Sequence, residues 1–133
     1  MTLIERLEKA GEGSLALDIE LMVLLGGARD VGDGVYYGPS TETWHTSDAA
    51  ENEGCWMLPA PSRSLDAALA LAEQVLPGWS WMVRHYASGH GGPGWTAYVC
   101  QPENDTVNSG PVKSAPALAL CLAVLRATQE QAS

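Results

Sequence analysis

The sequence predicts an α+β domain in which helices pack on a small, mostly antiparallel sheet. Three observations carry that prediction. An apolar-periodic helix opens at Ser64 and stops at Pro77-Gly78. Alternating residues follow at once, from Trp79 to Tyr86. A second alternating run, Trp95 to Cys100, lies across a Gly-rich loop, so the two runs read as a hairpin. Burying one face of that hairpin requires a long helix against it, which gives a layered α/β sandwich. With 133 residues and a hydrophobic content of 46%, the chain has material for one core, and a single domain over residues 1–133 is expected.

The elements follow in chain order. Residues 2 to 25 read as two helices split at Gly11 and Gly13. Leu3, Ile4 and Leu7 share the inner face of the first, and Ser14 caps the second. The second is apolar most of the way round and is expected to be well buried. Residues 26 to 63 are rich in Gly, Asp, Ser, Thr and Pro, with short strands expected near Val35-Tyr37 and Cys55-Leu58. The polar stretch Thr46 to Gly54 reads as a loop. In the helix that follows, Ser64 is the cap, Asp66 complements the dipole, and Leu65, Ala68, Leu69, Ala72, Val75 and Leu76 repeat at helical spacing. In the first hairpin strand Trp79, Trp81, Val83 and His85 share one face, and Trp79 and Trp81 are expected to fill the core. Gln101 to Lys113 reads as a loop. A last helix starts at a Ser114 cap, tolerates Pro116 in its first turn, is apolar nearly all round, and frays from Gln129.

The net charge is -9, from 16 acids and 7 bases, and it is unevenly placed. Residues 1 to 54 hold eleven acids and three bases, so nearly all the excess lies there. Such a field repels a phosphate backbone and argues against direct nucleic-acid binding. It suits docking on a basic protein surface, imitation of DNA, or plain solubility. No apolar run approaches the roughly 20 residues that a membrane helix needs. Met1 to Ala10 lacks the pattern of a signal peptide, so a soluble intracellular chain is expected.

Little in the sequence points to catalysis. His45, His85 and His90 show no tight ligand spacing, and no metal or cofactor is expected. His45-Thr46-Ser47 is half of a two-histidine phosphodiesterase motif, but no second copy supplies the partner acid or base. There is no nucleophile elbow and no P-loop. Gly89 to Gly94 joins two strands and opens no helix that would hold a phosphate. Cys121 sits in an apolar helix, and Cys55 has no neighbouring cation, so neither reads as an activated thiolate.

The aromatic set is the most suggestive feature. Five Trp and four Tyr stand against no Phe, so every aromatic ring brings a polar handle. Trp44, Trp56 and Trp95 at loop or strand edges, with Arg84, His85, His90 and Tyr98, form the candidate ligand-binding set, suited to stacking on a nucleotide-like molecule. The competing reading is that these rings cover sheet edges around a small core.

The runs Ser64-Leu65-Asp66-Ala67-Ala68-Leu69, Pro77-Gly78-Trp79-Ser80-Trp81 and Pro116-Ala117-Leu118-Ala119-Leu120-Cys121 with Arg126-Ala127 resemble the phage ABA sandwich domain. Leu7-Glu8 and Leu17-Asp18 are also similar to that family. The resemblance implies a small α/β sandwich carried by phages and prophages. It brings no established activity and no catalytic residues. The chain departs from it in the acidic stretch through residues 42 to 53 and in the Gly-rich loop.

By analogy, the resemblance implies an accessory protein of the host cytoplasm that counteracts defence by binding. Two mechanisms fit: sequestering a nucleotide-derived signal, at a subunit interface if the chain self-associates, or docking the acidic half on a basic host protein surface. A phosphodiesterase-like enzyme acting on a nucleotide through His85 or His90, and a minor virion component, are the alternatives.

Overall fold

The structure, a computed structural model, describes residues 2–32, 34–46, 56–86, 94–102, 107–109 and 115–132. In chain order its elements are α1 (Leu3–Lys9), α2 (Leu15–Leu24), β1 (Arg29–Gly32), β2 (Val35–Tyr37), β3 (Thr43–His45), β4 (Trp56–Met57), α3 (Leu65–Val75), β5 (Ser80–Tyr86), β6 (Gly94–Cys100), β7 (Val107–Ser109) and α4 (Pro116–Ala132). The fold is α+β, as the sequence predicts. Its strands form two sheets, ordered β1-β2-β3-β4 and β5-β6-β7, antiparallel throughout except for the parallel pair β3–β4.

Capping explains where the first three helices begin. Thr2 Oγ1 accepts from Glu5 N–H, Ser14 Oγ from Leu17 N–H and Ser64 Oγ from Ala67 N–H. Helix α2 stops at Gly27, whose φ of +78° is left-handed and follows glycine's freedom there. Helix α4 begins at Pro116, where the missing N–H costs no helical bond. The expected Ser114 cap lies outside the described residues. The helix runs on to Ala132, past the point at which fraying was expected.

α4 is the axis of the core. Every residue from Ala117 to Leu125 is at most 2% exposed. A helix can bury its whole circumference only when neighbours surround it. Here α1 and α3 pack on one side, and β6, with β7 and β5, on the other. On the sheet, Ala97 and Val99 of β6 face this helix and are buried. In the first sheet the cross-strand pair Tyr36 and Trp44 is buried and joins the same core cluster.

Three short strands were not foreseen. β1, β3 and β7 are three or four residues long and lie in Gly-, Asp-, Thr- and Asn-containing segments without alternating hydrophobicity. Their pairing is a tertiary effect. Two burial expectations are corrected. Trp81 does not fill the core but is 46% exposed, because β5 is the end strand of its sheet and α4 packs mainly on β6; Trp79 is half-buried against the core. Helix α2 is not buried all round: Leu17, Asp18, Leu21 and Met22 face inward, while Leu15, Val23 and Leu24 are exposed.

A buried carboxylate ties the helices together. Asp18 is fully buried in the first turn of α2. Its Oδ1 accepts from Ser62 N–H at 2.7 Å and from Ser62 Oγ–H at 2.6 Å, and its Oδ2 accepts from Arg63 Nε at 2.7 Å. Ser62 Oγ in turn accepts from Ser14 N–H at 3.1 Å. The approach is so close that a Cβ on Gly13 would stand 2.0 Å from the Ser62 carbonyl oxygen.

Asp18→Ala should therefore lower the unfolding free energy by about 1–3 kcal/mol, since it strands the buried Ser62 N–H, while the half-exposed Arg63 turns to water and the Ser62 hydroxyl keeps the Ser14 carbonyl as acceptor. Gly13→Ala should also destabilise, by forcing the backbone apart. Gly11→Ala, where a Cβ meets nothing within 4 Å, should stay within about 0.5 kcal/mol of the parent. Urea denaturation of the three variants checks the ranking.

Candidate binding surfaces

The seven residues of the aromatic candidate set fall in separate places. Trp44 and Trp56 are register partners on β3 and β4. Trp44 is 9% exposed and lines a small apolar cavity of about 110 Å³ with Met22, Pro59 and Leu71. On the second sheet His85 and Trp95 oppose each other across β5 and β6, on the face that carries Ala97 and Val99. Their rings are 4.6 Å apart at the centroids and tilted by 49°. Arg84 and Tyr98 stand on the opposite face of the same strands, Arg84 against Thr96 and Tyr98 against Met82. His90 lies outside the described residues. The structure thus brings His85 to Trp95 and Trp44 to the register position of Trp56. It places Arg84 and Tyr98 across the sheet from the first pair.

Two surface grooves draw on other residues. The larger, about 550 Å³, lies where α2 meets α1 and the β1–β2 hairpin. It is lined by Leu3, Ile19, Glu20, Val23, Leu24, Asp30 and Tyr36. Val23 and Leu24 are 47% and 58% exposed, Leu15 is exposed at the start of α2, and Ile19, between Leu15 and Val23 at four-residue spacing, is half-buried against the core. A helix side turned to solvent usually carries charge; this one carries aliphatic side chains. Its charged lining residues, Glu20 and Asp30, are both acids. Glu20 Oε1 pairs with Arg6, but Glu20 Oε2 is shut off from solvent and has no hydrogen-bond partner among the described residues. An orphaned carboxylate oxygen is unfavourable unless a donor reaches it.

The second groove, about 410 Å³, runs between the C-terminal half of α3 and the start of β5. Its lining includes Leu76, Pro77 and Trp81, with Glu73 as the one ionisable side chain.

Sequence reading expects α2 to be well buried and so misses the larger groove. The available signal was the pair of acids in α2: Asp18 and Glu20 stand about 200° apart on the helix, so one side must be buried with a partner for its carboxylate and the other must face solvent.

The buried cluster around Asp18 holds a hydroxyl, a carboxylate and a thiol, yet its geometry is that of a structural tie. Ser62 and Cys121 are at most 1% exposed, which leaves substrate no approach. Cys121 Sγ donates to the Pro61 carbonyl oxygen at 3.1 Å. Burial pushes the Cys121 thiol far above its ordinary range, and the Asp18 charge adds to the shift. A thiol held protonated is a poor nucleophile. Among the described residues no cluster of His, Cys, Asp and Glu is placed to hold a metal ion, and no helix is long and apolar enough to cross a membrane.

The raised Cys121 value has a stability consequence with a definite sign. Above about pH 8.5 the unfolded thiol ionises while the folded one stays protonated, so the unfolded state binds fewer protons and stability falls as pH rises. The slope should approach about 1.4 kcal/mol per pH unit and disappear in Cys121→Ser, which keeps a donor for the Pro61 carbonyl. Denaturation curves of both proteins between about pH 8 and 10 isolate this term from other titrating groups, and maleimide labelling should reach Cys121 only after unfolding.

Compared with family models, curated proteins and solved structures, the chain matches none.

Proposed function

We propose that this chain is a phage or prophage accessory protein that works by binding, and that its partner is a host protein presenting a basic surface with apolar side chains at its centre. The observation that carries the reading is the outer side of α2. Exposed Leu15, Val23 and Leu24 adjoin a groove whose charged lining residues are Glu20, paired with Arg6, and Asp30. Apolar side chains bordered by charged ones are the anatomy of an interaction surface. The apolar part would supply affinity, and the acids would supply steering and partner choice.

The acid excess of residues 1–54 supports the same reading, because its long-range field would draw in a basic partner. The resemblance to phage ABA sandwich proteins supports the setting, a phage product acting in the host cytoplasm against a defence component, by analogy alone. Sequestration of a nucleotide-derived signal has less support, since the residues suited to stacking are divided between two sheets and two faces.

A lysine- and leucine-containing amphipathic helical peptide serves as a probe. Its fluorescence anisotropy with the full chain should show binding that weakens steeply as salt rises. Val23→Asp should weaken binding by at least about tenfold with the circular dichroism spectrum unchanged, and Glu20→Gln should reduce the salt dependence. Absence of peptide binding, together with thermal stabilisation by nucleotides or cyclic dinucleotides, would overturn the protein-docking reading in favour of a small-molecule one.

A further inference from the structure

We propose that the groove between α3 and β5 binds a small organic cation, a molecule with an alkylated ammonium head. The site shares no residue with the α2 groove. Trp81 lies on the helix side of its sheet, opposite the buried Val99 of β6, yet it is 46% exposed. α3 ends at Val75, and the chain turns through Pro77 and the left-handed Gly78, with φ +82°, into β5. The helix layer therefore stops short of Trp81. The space left open, about 410 Å³, is lined by the half-buried Trp79, by Trp81 and by Glu73, and its size suits a small molecule.

Electrostatics selects the occupant. Three sources of negative potential meet in this groove, and among the described residues no Lys, Arg or His lines it. The first is the exposed Glu73 carboxylate, which makes no ion pair among the described residues. The second is the C-terminal end of α3, whose last turn holds no base. Pro77, four residues after Glu73, has no N–H to give the Glu73 carbonyl, so the negative end of the helix dipole stays uncompensated there. The third is the pair of indoles, Trp79 and Trp81, whose ring faces attract cations. A hard metal ion needs a full set of oxygen ligands, and one carboxylate among apolar and aromatic side chains does not supply it. An alkylated ammonium keeps its charge under an apolar coat and exchanges water for indole and aliphatic contacts at low cost. The net charge of -9 adds long-range attraction for any cation.

Two-dimensional NMR of the full chain, following the tryptophan indole N–H signals, tests the proposal with choline as the probe and sodium chloride at equal ionic strength as the control. Choline should shift the Trp79 and Trp81 signals with a dissociation constant in the millimolar range. The neutral alcohol in which carbon replaces the ammonium nitrogen should bind at least about fivefold more weakly. Trp81→Ala and, separately, Glu73→Gln should each weaken choline binding, read at Trp79, by about threefold or more, with circular dichroism and melting unchanged. Val23→Asp, in the other groove, should leave choline binding as it is. Choline that shifts neither signal up to about 100 mM would overturn the proposal. So would a neutral alcohol that binds as well as choline, which would make the groove an apolar slot only, or choline binding that both variants leave intact.

Discussion

The fold depends on one buried carboxylate. Asp18 is the first-turn acid of α2, and it accepts three hydrogen bonds from the two residues just before the Ser64 cap of α3. Those bonds satisfy Ser62, whose amide and hydroxyl lie where water does not reach. They also bring Pro61 against α4, where its carbonyl takes the Cys121 thiol. Three helices therefore meet at one point. An ion pair of this kind is weak evidence for net stability but strong evidence for specificity, because few other arrangements would leave every buried donor satisfied. Gly13 is part of the same constraint, since only a residue without a side chain lets the chain pass so close to Ser62.

That constraint explains the surface. With Asp18 facing inward, helical periodicity turns Leu17, Leu21 and Met22 toward the core and leaves Val23 on the side away from it, while Ile19 is half-buried against the core and the exposed Leu15 and Leu24 flank the buried side at the two ends of the helix. The exposure of Val23 follows from the tie. A fully apolar helix at this position would have had no preferred rotation; Asp18 gives it one and so determines which side chains reach solvent.

The parts legible in the sequence were those governed by local rules. The Ser14 and Ser64 caps, the Pro77-Gly78 stop and the β5–β6 hairpin follow from capping chemistry and from a period of two. The whole-circumference burial of α4 follows from its unbroken apolar run. What the sequence concealed depends on neighbours distant in the chain. β1, β3 and β7 are strands only because something pairs with them. Trp81 is exposed because the helix over its sheet lies over β6, a fact about layer placement that no period encodes. The division of the aromatic set has the same origin. Trp44 and Trp95 both stand on short strands, but the chain forms two sheets, and each ring lies on a different one.

The charge around the α2 groove limits what could cover it. Its charged lining residues are Glu20, which pairs with Arg6, and Asp30, beside the apolar Leu3, Ile19, Val23 and Leu24. Residues 1–54 carry nearly all of the chain's net charge of -9, so like-charge repulsion disfavours contact between copies through this part of the molecule. The same field would favour a basic surface over an acidic one at the exposed apolar side chains of α2.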